Sequence, residues 1–99
     1  MKRAVSLGST VVATEGQVSS DLGDEVAILD FRAGMYYGLD SVGARVWNLI
    51  QEPRTTREIR DILTSEYEVD PFRCERDLVA LLQRLVDEGL IEASCEAPA

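Results

Sequence analysis

Residues 34–47 read GMYYGLDSVGARVW, two adjacent tyrosines between glycines followed by a stretch that ends on the only tryptophan of the chain. MYYGL, at 35–39, is a short aromatic segment of strand character. After Leu39 the apolar period lengthens. Val42, Val46, Trp47, Leu49 and Ile50 recur at helical spacing, Asp40 or Ser41 stands where a helix is capped, and Pro53 ends the pattern. The junction divides the chain into a strand-rich beginning and a helical remainder.

Toward the N-terminus, STVVAT (9–14) and EVAILDF (25–31) are further strand candidates, separated by GQVSSDLGD (16–24). With MYYGL they predict a three-stranded antiparallel meander whose second and third strands join in a tight hairpin at Ala33-Gly34. Toward the C-terminus, Thr55 and Glu58 fit the S/T-x-x-E capping box, and Ile59, Ile62, Leu63 and Tyr67 share one face of the helix that follows. Asp70-Pro71 opens a third helix, because proline in the first turn lacks only an N–H that has no helical partner there, and Gly89 stops it. LIEA, at 90–93, is either a short terminal strand or a frayed end. The fold class is therefore α+β: a three-stranded antiparallel sheet followed by a three-helix bundle, winged-helix-like in its ending LVDEGLIE.

The third helix has more apolar surface than one neighbour can cover. Cys74, Leu78, Leu81 and Leu85 form one stripe and Val79, Leu82 and Val86 a second, together wider than the roughly 100° needed to face a single layer. Such a helix touches the bundle and one thing more, either the sheet or something that comes to lie against it. The third strand offers a matching vacancy: MYYGL contains no lysine, proline or other edge-blocking residue. If Tyr37 and Leu39 face inward with Val42 and Trp47, Tyr36 and Gly38 face outward, and the bare Gly38 lets another backbone approach. Strand addition along this edge, with pockets between strand and helix, is the binding mode these features suit.

Composition narrows the function. At 99 residues the chain is one domain with 45% apolar and 28% charged residues, and no run of about 18 apolar residues offers a membrane span. Gly8, Ser9 and Thr10 interrupt the start MKRAVSLGSTVVA, which reads as an N-terminal strand of a cytoplasmic protein and not as a signal peptide. A net charge of -8 disfavours a phosphate-backbone partner and favours a basic or neutral one. There is no histidine, so the commonest general base and metal ligand are missing, and the two cysteines, Cys74 and Cys95, lack zinc-site spacing and read as thiols. Asp21, Asp24 and Glu25 do not follow a calcium-loop pattern, and no glycine-rich phosphate motif occurs. No catalytic residue, metal or cofactor is expected. Arg54, Arg57 and Arg60 are placed to meet phosphates, but interleaved with Glu58 and Asp61 they read more simply as a solvated face.

YYGLDSVGARVWNLI, RTTREI and YEVDPFRCERDLVALLQRLVDEGLIE, in this order, resemble the PqqD-like proteins, and among them the stand-alone leader-recognition elements (RREs) of lasso-peptide biosynthesis, a class of ribosomally made and modified peptides (RiPPs). The likeness runs from about residue 25 to 92. The chain then divides into 25–92, the PqqD-like peptide-recognition domain that the resemblance covers, 93–99 as a flexible tail, and 1–24 as an N-terminal segment outside the likeness, whose first strand rests on pattern alone. The resemblance implies a non-catalytic protein that binds the leader of a precursor peptide as an added strand and delivers it to a separate, transglutaminase-like leader peptidase and to a macrocyclase. Carried onto this chain, one wall of the groove would be Met35, Tyr36, Tyr37, Gly38 and Leu39, and the other Cys74, Leu78, Leu81, Leu82 and Leu85. Asp40, where many relatives carry asparagine, still serves as a cap. The readings from other classes are a winged-helix DNA-binding regulator and a small structural adaptor.

Overall fold

The computed structural model describes residues 5–15, 17–21, 23, 25–30 and 34–94. In chain order the elements are β1 (Thr10–Ala13), β2 (Gln17–Asp21), β3 (Val26–Asp30), β4 (Met35–Leu39), α1 (Ser41–Leu49), β5 (Arg54–Thr55), α2 (Thr56–Glu66), α3 (Pro71–Asp87) and β6 (Ile91–Ser94). The strands form two antiparallel sheets, ordered β2-β3-β4 and β5-β1-β6. No helix among the described residues is long and apolar enough to cross a membrane.

A three-stranded sheet and three helices are present, but the sheet beside the junction is not composed as the sequence pattern suggests. STVVAT does not enter it: β1 lies at the centre of the second sheet, with Thr10 opposite both Thr55 and Ser94. The third member of the meander is QVSSD, read from sequence as a connection, whose residues 17–21 pair one-for-one with 30–26. A single valine among polar residues carries no apolar alternation. Its place is set by backbone pairing, to which side-chain pattern is blind. Ala33 of the expected hairpin lies outside the described residues. Gly34 adopts φ +66 and its N–H donates to the Asp30 carbonyl at 2.8 Å, after which Met35 pairs with Asp30.

The helix boundaries follow their caps. Asp40 accepts from the Gly43 N–H at 2.9 Å and opens α1. Thr55 Oγ1 accepts from the Glu58 N–H at 3.1 Å while Glu58 accepts from the Thr55 N–H at 3.4 Å, completing the reciprocal box. Asp70 accepts from the Phe72 N–H at 2.9 Å ahead of Pro71. At the far end of α3, Gly89 takes φ +77, and the bonds from Gly89 N–H to Val86 O and Leu90 N–H to Leu85 O form a Schellman closure. Gly89→Ala would force a Cβ into that left-handed conformation. The expected cost is about 1 kcal/mol, a melting midpoint lower by roughly 4–8 °C, read by thermal denaturation.

The closure sends the chain straight into β6. Ala93 and Ser94, which the sequence reading put in the tail, pair with Val11 and Thr10. The N-terminal segment is likewise built into the domain: the Val5 N–H donates to Gln83 Oε1 at 2.8 Å and the Thr56 N–H to the Ser9 carbonyl at 2.9 Å. One core results, with Val11, Ile28, Val46, Ile50, Ile59, Leu82 and Leu90 fully enclosed and Trp47 only 2% exposed. Val42, expected inward with Trp47, is instead 42% exposed, in the first turn of α1 beside the strand end.

Candidate functional site

β4 is an edge strand: β3 is its only partner among the described residues. In an antiparallel ladder alternate residues turn their N–H and C=O groups away from the neighbour, so about half of the polar groups of β4 face outward without a strand to receive them. The residues of β4 alternate as expected. Tyr37 and Leu39 are half-buried against the core, whereas Tyr36 is 66% exposed and Gly38 lies on the solvent side.

Beside this edge lies a cavity of about 700 Å³, within the size range of ligand-binding clefts. Its apolar lining comes from Leu39 of β4, Val46 of α1, Leu63 of α2, and Cys74, Leu78 and Leu81 of α3. Val42 and Val69, 42% and 46% exposed, stand at its mouth. Four carboxylates, Asp40, Glu68, Asp70 and Asp77, and two arginines, Arg73 and Arg84, complete the lining, so its polar part is net acidic. Further along, the Tyr37 hydroxyl donates to Glu88 Oε2 at 3.0 Å, fastening β4 to the end of α3. Partial burial and that carboxylate raise the Tyr37 hydroxyl above the ordinary phenol range, which keeps it a donor.

The residues singled out from sequence separate into three groups. Gly38, Leu39, Cys74, Leu78 and Leu81 meet around the cavity. Met35 and Tyr36 are exposed on β4, and Tyr37 reaches α3 through Glu88. Leu82 and Leu85, assigned from sequence to the groove wall, are 0% and 3% exposed and belong to the core. They correct that assignment: both are enclosed by the body of the protein, and neither lines the cavity. Val42, Leu63, Tyr67 and Val69 line the cavity without having been picked out for it. Val69 was the visible signal, an apolar residue stranded between two helices where nothing local covers it.

Two of the three arginines near α2, Arg54 and Arg60, are engaged locally. Arg54 Nε donates to the Leu49 carbonyl at 2.8 Å, and Arg60 bonds Asp61 at 3.0 Å and Glu75 at 3.1 Å. The Cys74 thiol is pushed up by burial and by nearby Asp77, partly offset by Arg60, so it is held as a neutral thiol and not as an activated thiolate.

Comparison with known proteins places this geometry. TbiB1, solved in complex with the TbiA(beta) leader peptide, is 40% identical over 82% of this chain and 94% of that one, with a TM-score of 0.77. Lasso peptide synthetase B1, solved with the leader peptide, is 26% identical over 83% and 96%, TM-score 0.74. The PqqD truncation of Methylobacterium extorquens PqqCD, described as a functional, stand-alone RiPP recognition element, shares the fold at 22% identity, covering 90% of this chain and 95% of that one with a TM-score of 0.73. No curated protein sequence gives a significant match. The family model for coenzyme PQQ synthesis protein D matches residues 25–91, two-thirds of the sequence, and with the 40% identity to TbiB1 it shows that the chain belongs to the PqqD family.

Proposed function

We propose that this protein is a non-catalytic recognition element that binds the leader of a ribosomally made precursor peptide as a strand added to β4 and presents it to a separate leader peptidase of the transglutaminase-like kind, with a macrocyclase acting afterwards in the same cytoplasmic pathway. The observation that carries the reading is the edge of β4, unpaired among the described residues, lying directly beside an apolar cavity. Main-chain bonds along the edge supply affinity, and the cavity selects the side chains that alternate into it. The 40% identity to a protein solved with its leader peptide points the same way. A binding role also agrees with the chemistry at hand, since the sequence has no histidine and Cys74 is not activated.

The DNA-binding alternative draws little support from this surface. The chain carries a net charge of -8, and Arg54 and Arg60 are held by partners within the domain.

A synthetic leader of the precursor encoded beside this protein tests the reading. With it bound, amide exchange should slow across Tyr36–Leu39, and Cys74 in a Cys95→Ser background should be shielded from iodoacetamide. Protection confined to Arg54, Arg57 and Arg60, with β4 and Cys74 unchanged, would overturn strand addition and favour the phosphate-binding alternative.

A further inference from the structure

Both walls of the cavity run toward one pair of residues. On α3, Cys74, Asp77, Leu81 and Arg84 line it at helical spacing, and Glu88, four residues beyond Arg84, continues the same face. On β4, Gly38 and Leu39 line it and Tyr37 comes next. Tyr37 Oη donates to Glu88 Oε2 at 3.0 Å, so the cavity is bridged from wall to wall at its Arg84 end. Away from the bridge the walls belong to different layers, since β4 packs mainly on β3 and α1 whereas α3 packs mainly on α2 and β6.

Each end of the bridge is anchored. Tyr37 stands opposite the fully enclosed Ile28. The Glu88 N–H donates to the Arg84 carbonyl at 3.0 Å, directly before the closure at Gly89. Two elements tied by groups that are themselves fixed keep their spacing, as a preorganised site requires. Glu88 does nothing for its own helix: it caps the C-terminal end of α3, where the helix dipole disfavours a carboxylate. Its hydrogen-bond partner lies across the cavity.

We infer that Glu88 is a positioning residue: through its bond to Tyr37 it fixes the spacing between β4 and α3, so that a peptide enters a groove already at its bound width. A groove held at that width gives up less freedom on binding than one that must first be drawn together. The inference rests on the reading of β4 and the cavity as the leader site, and adds that affinity depends on a side chain outside the cavity that acts through another residue of this chain.

The test is a double-mutant cycle in the full chain, read by calorimetric titration with the same synthetic leader and by thermal denaturation. Glu88→Ala and Tyr37→Phe should each weaken binding about threefold to tenfold. The double variant should be no weaker than either alone, because both changes remove one bond. Glu88→Gln, whose amide oxygen still accepts from Tyr37, should recover most of the affinity. Melting midpoints should stay within about 4 °C of the wild type, since the bond is exposed and Glu88→Ala also relieves the end of α3. Losses that add in the double variant would mean that these side chains meet the leader directly. Unchanged or tighter binding by Glu88→Ala would make the bond idle or a gate, and affinity that falls only together with the melting midpoint would make it a part of the fold alone. Any of these results overturns the inference while β4 protection in the wild type stands. Absence of that protection in the wild type would instead remove the underlying reading, and this inference with it.

Discussion

Trp47→Ala is expected to remove about 3 to 5 kcal/mol of stability, a large part of the roughly 5–15 kcal/mol that holds a domain of this size together. The indole is 2% exposed at the junction of α1 with the sheet, and no neighbour can collapse far enough to refill its volume. Its contribution comes from packing alone: among the described residues Trp47 Nε1 is buried without a hydrogen-bond partner. A buried unpaired donor is itself costly, so Trp47→Phe, which drops the donor and keeps a ring, should cost much less than alanine. Leu82→Ala should behave like Trp47→Ala, losing about 2 to 5 kcal/mol because its side chain is fully enclosed. Chemical denaturation measures both. Leader affinity of the folded Leu82→Ala protein should stay near the wild-type value, and a loss of binding without a loss of stability would return Leu82 to the groove wall.

The fate of Leu82 shows where sequence reading reaches its limit. Signals confined to a few consecutive residues were legible: Asp40, the Thr55–Glu58 box, Asp70-Pro71 and Gly89 each fixed a helix end, because a cap is made by residues at most five apart. The excess apolar width of α3 was legible too, and so was the unblocked edge of β4. Which residues of α3 face the core depends on the rotation of a helix about its axis, set by all its neighbours at once, so Leu82 and Leu85 belong to the core while Cys74, Leu78 and Leu81 stand at the cavity. Strand partnership failed for the same reason. Nothing in STVVAT says that its neighbours will be Arg54–Thr55 and Ile91–Ser94, at separations of roughly 45 and 80 residues. Nor does QVSSD announce itself, since an edge strand need not carry an apolar alternation.

Leu81 is half-buried at the cavity and supplies the complementary prediction. Leu81→Asn should fold with a loss of about 1 to 2 kcal/mol, well below that of Leu82→Ala, because the free amide still reaches water. Once a leader covers the cavity that amide is buried without a designed partner, and affinity should fall about thirtyfold, the equivalent of some 2 kcal/mol. Leu81→Met, similar in volume, should stay close to wild type. A proline scan of the leader then separates the ways in which a peptide can occupy the site. An added strand presents alternate N–H groups to β4, so proline should abolish binding at every second residue and be tolerated between, a period of two. A leader bound as an amphipathic helix would use anchors spaced three and four apart and would lose affinity to proline throughout its helical interior. The second pattern, together with unchanged exchange at Tyr36–Leu39, would leave the cavity as the binding site and remove the β4 edge from it.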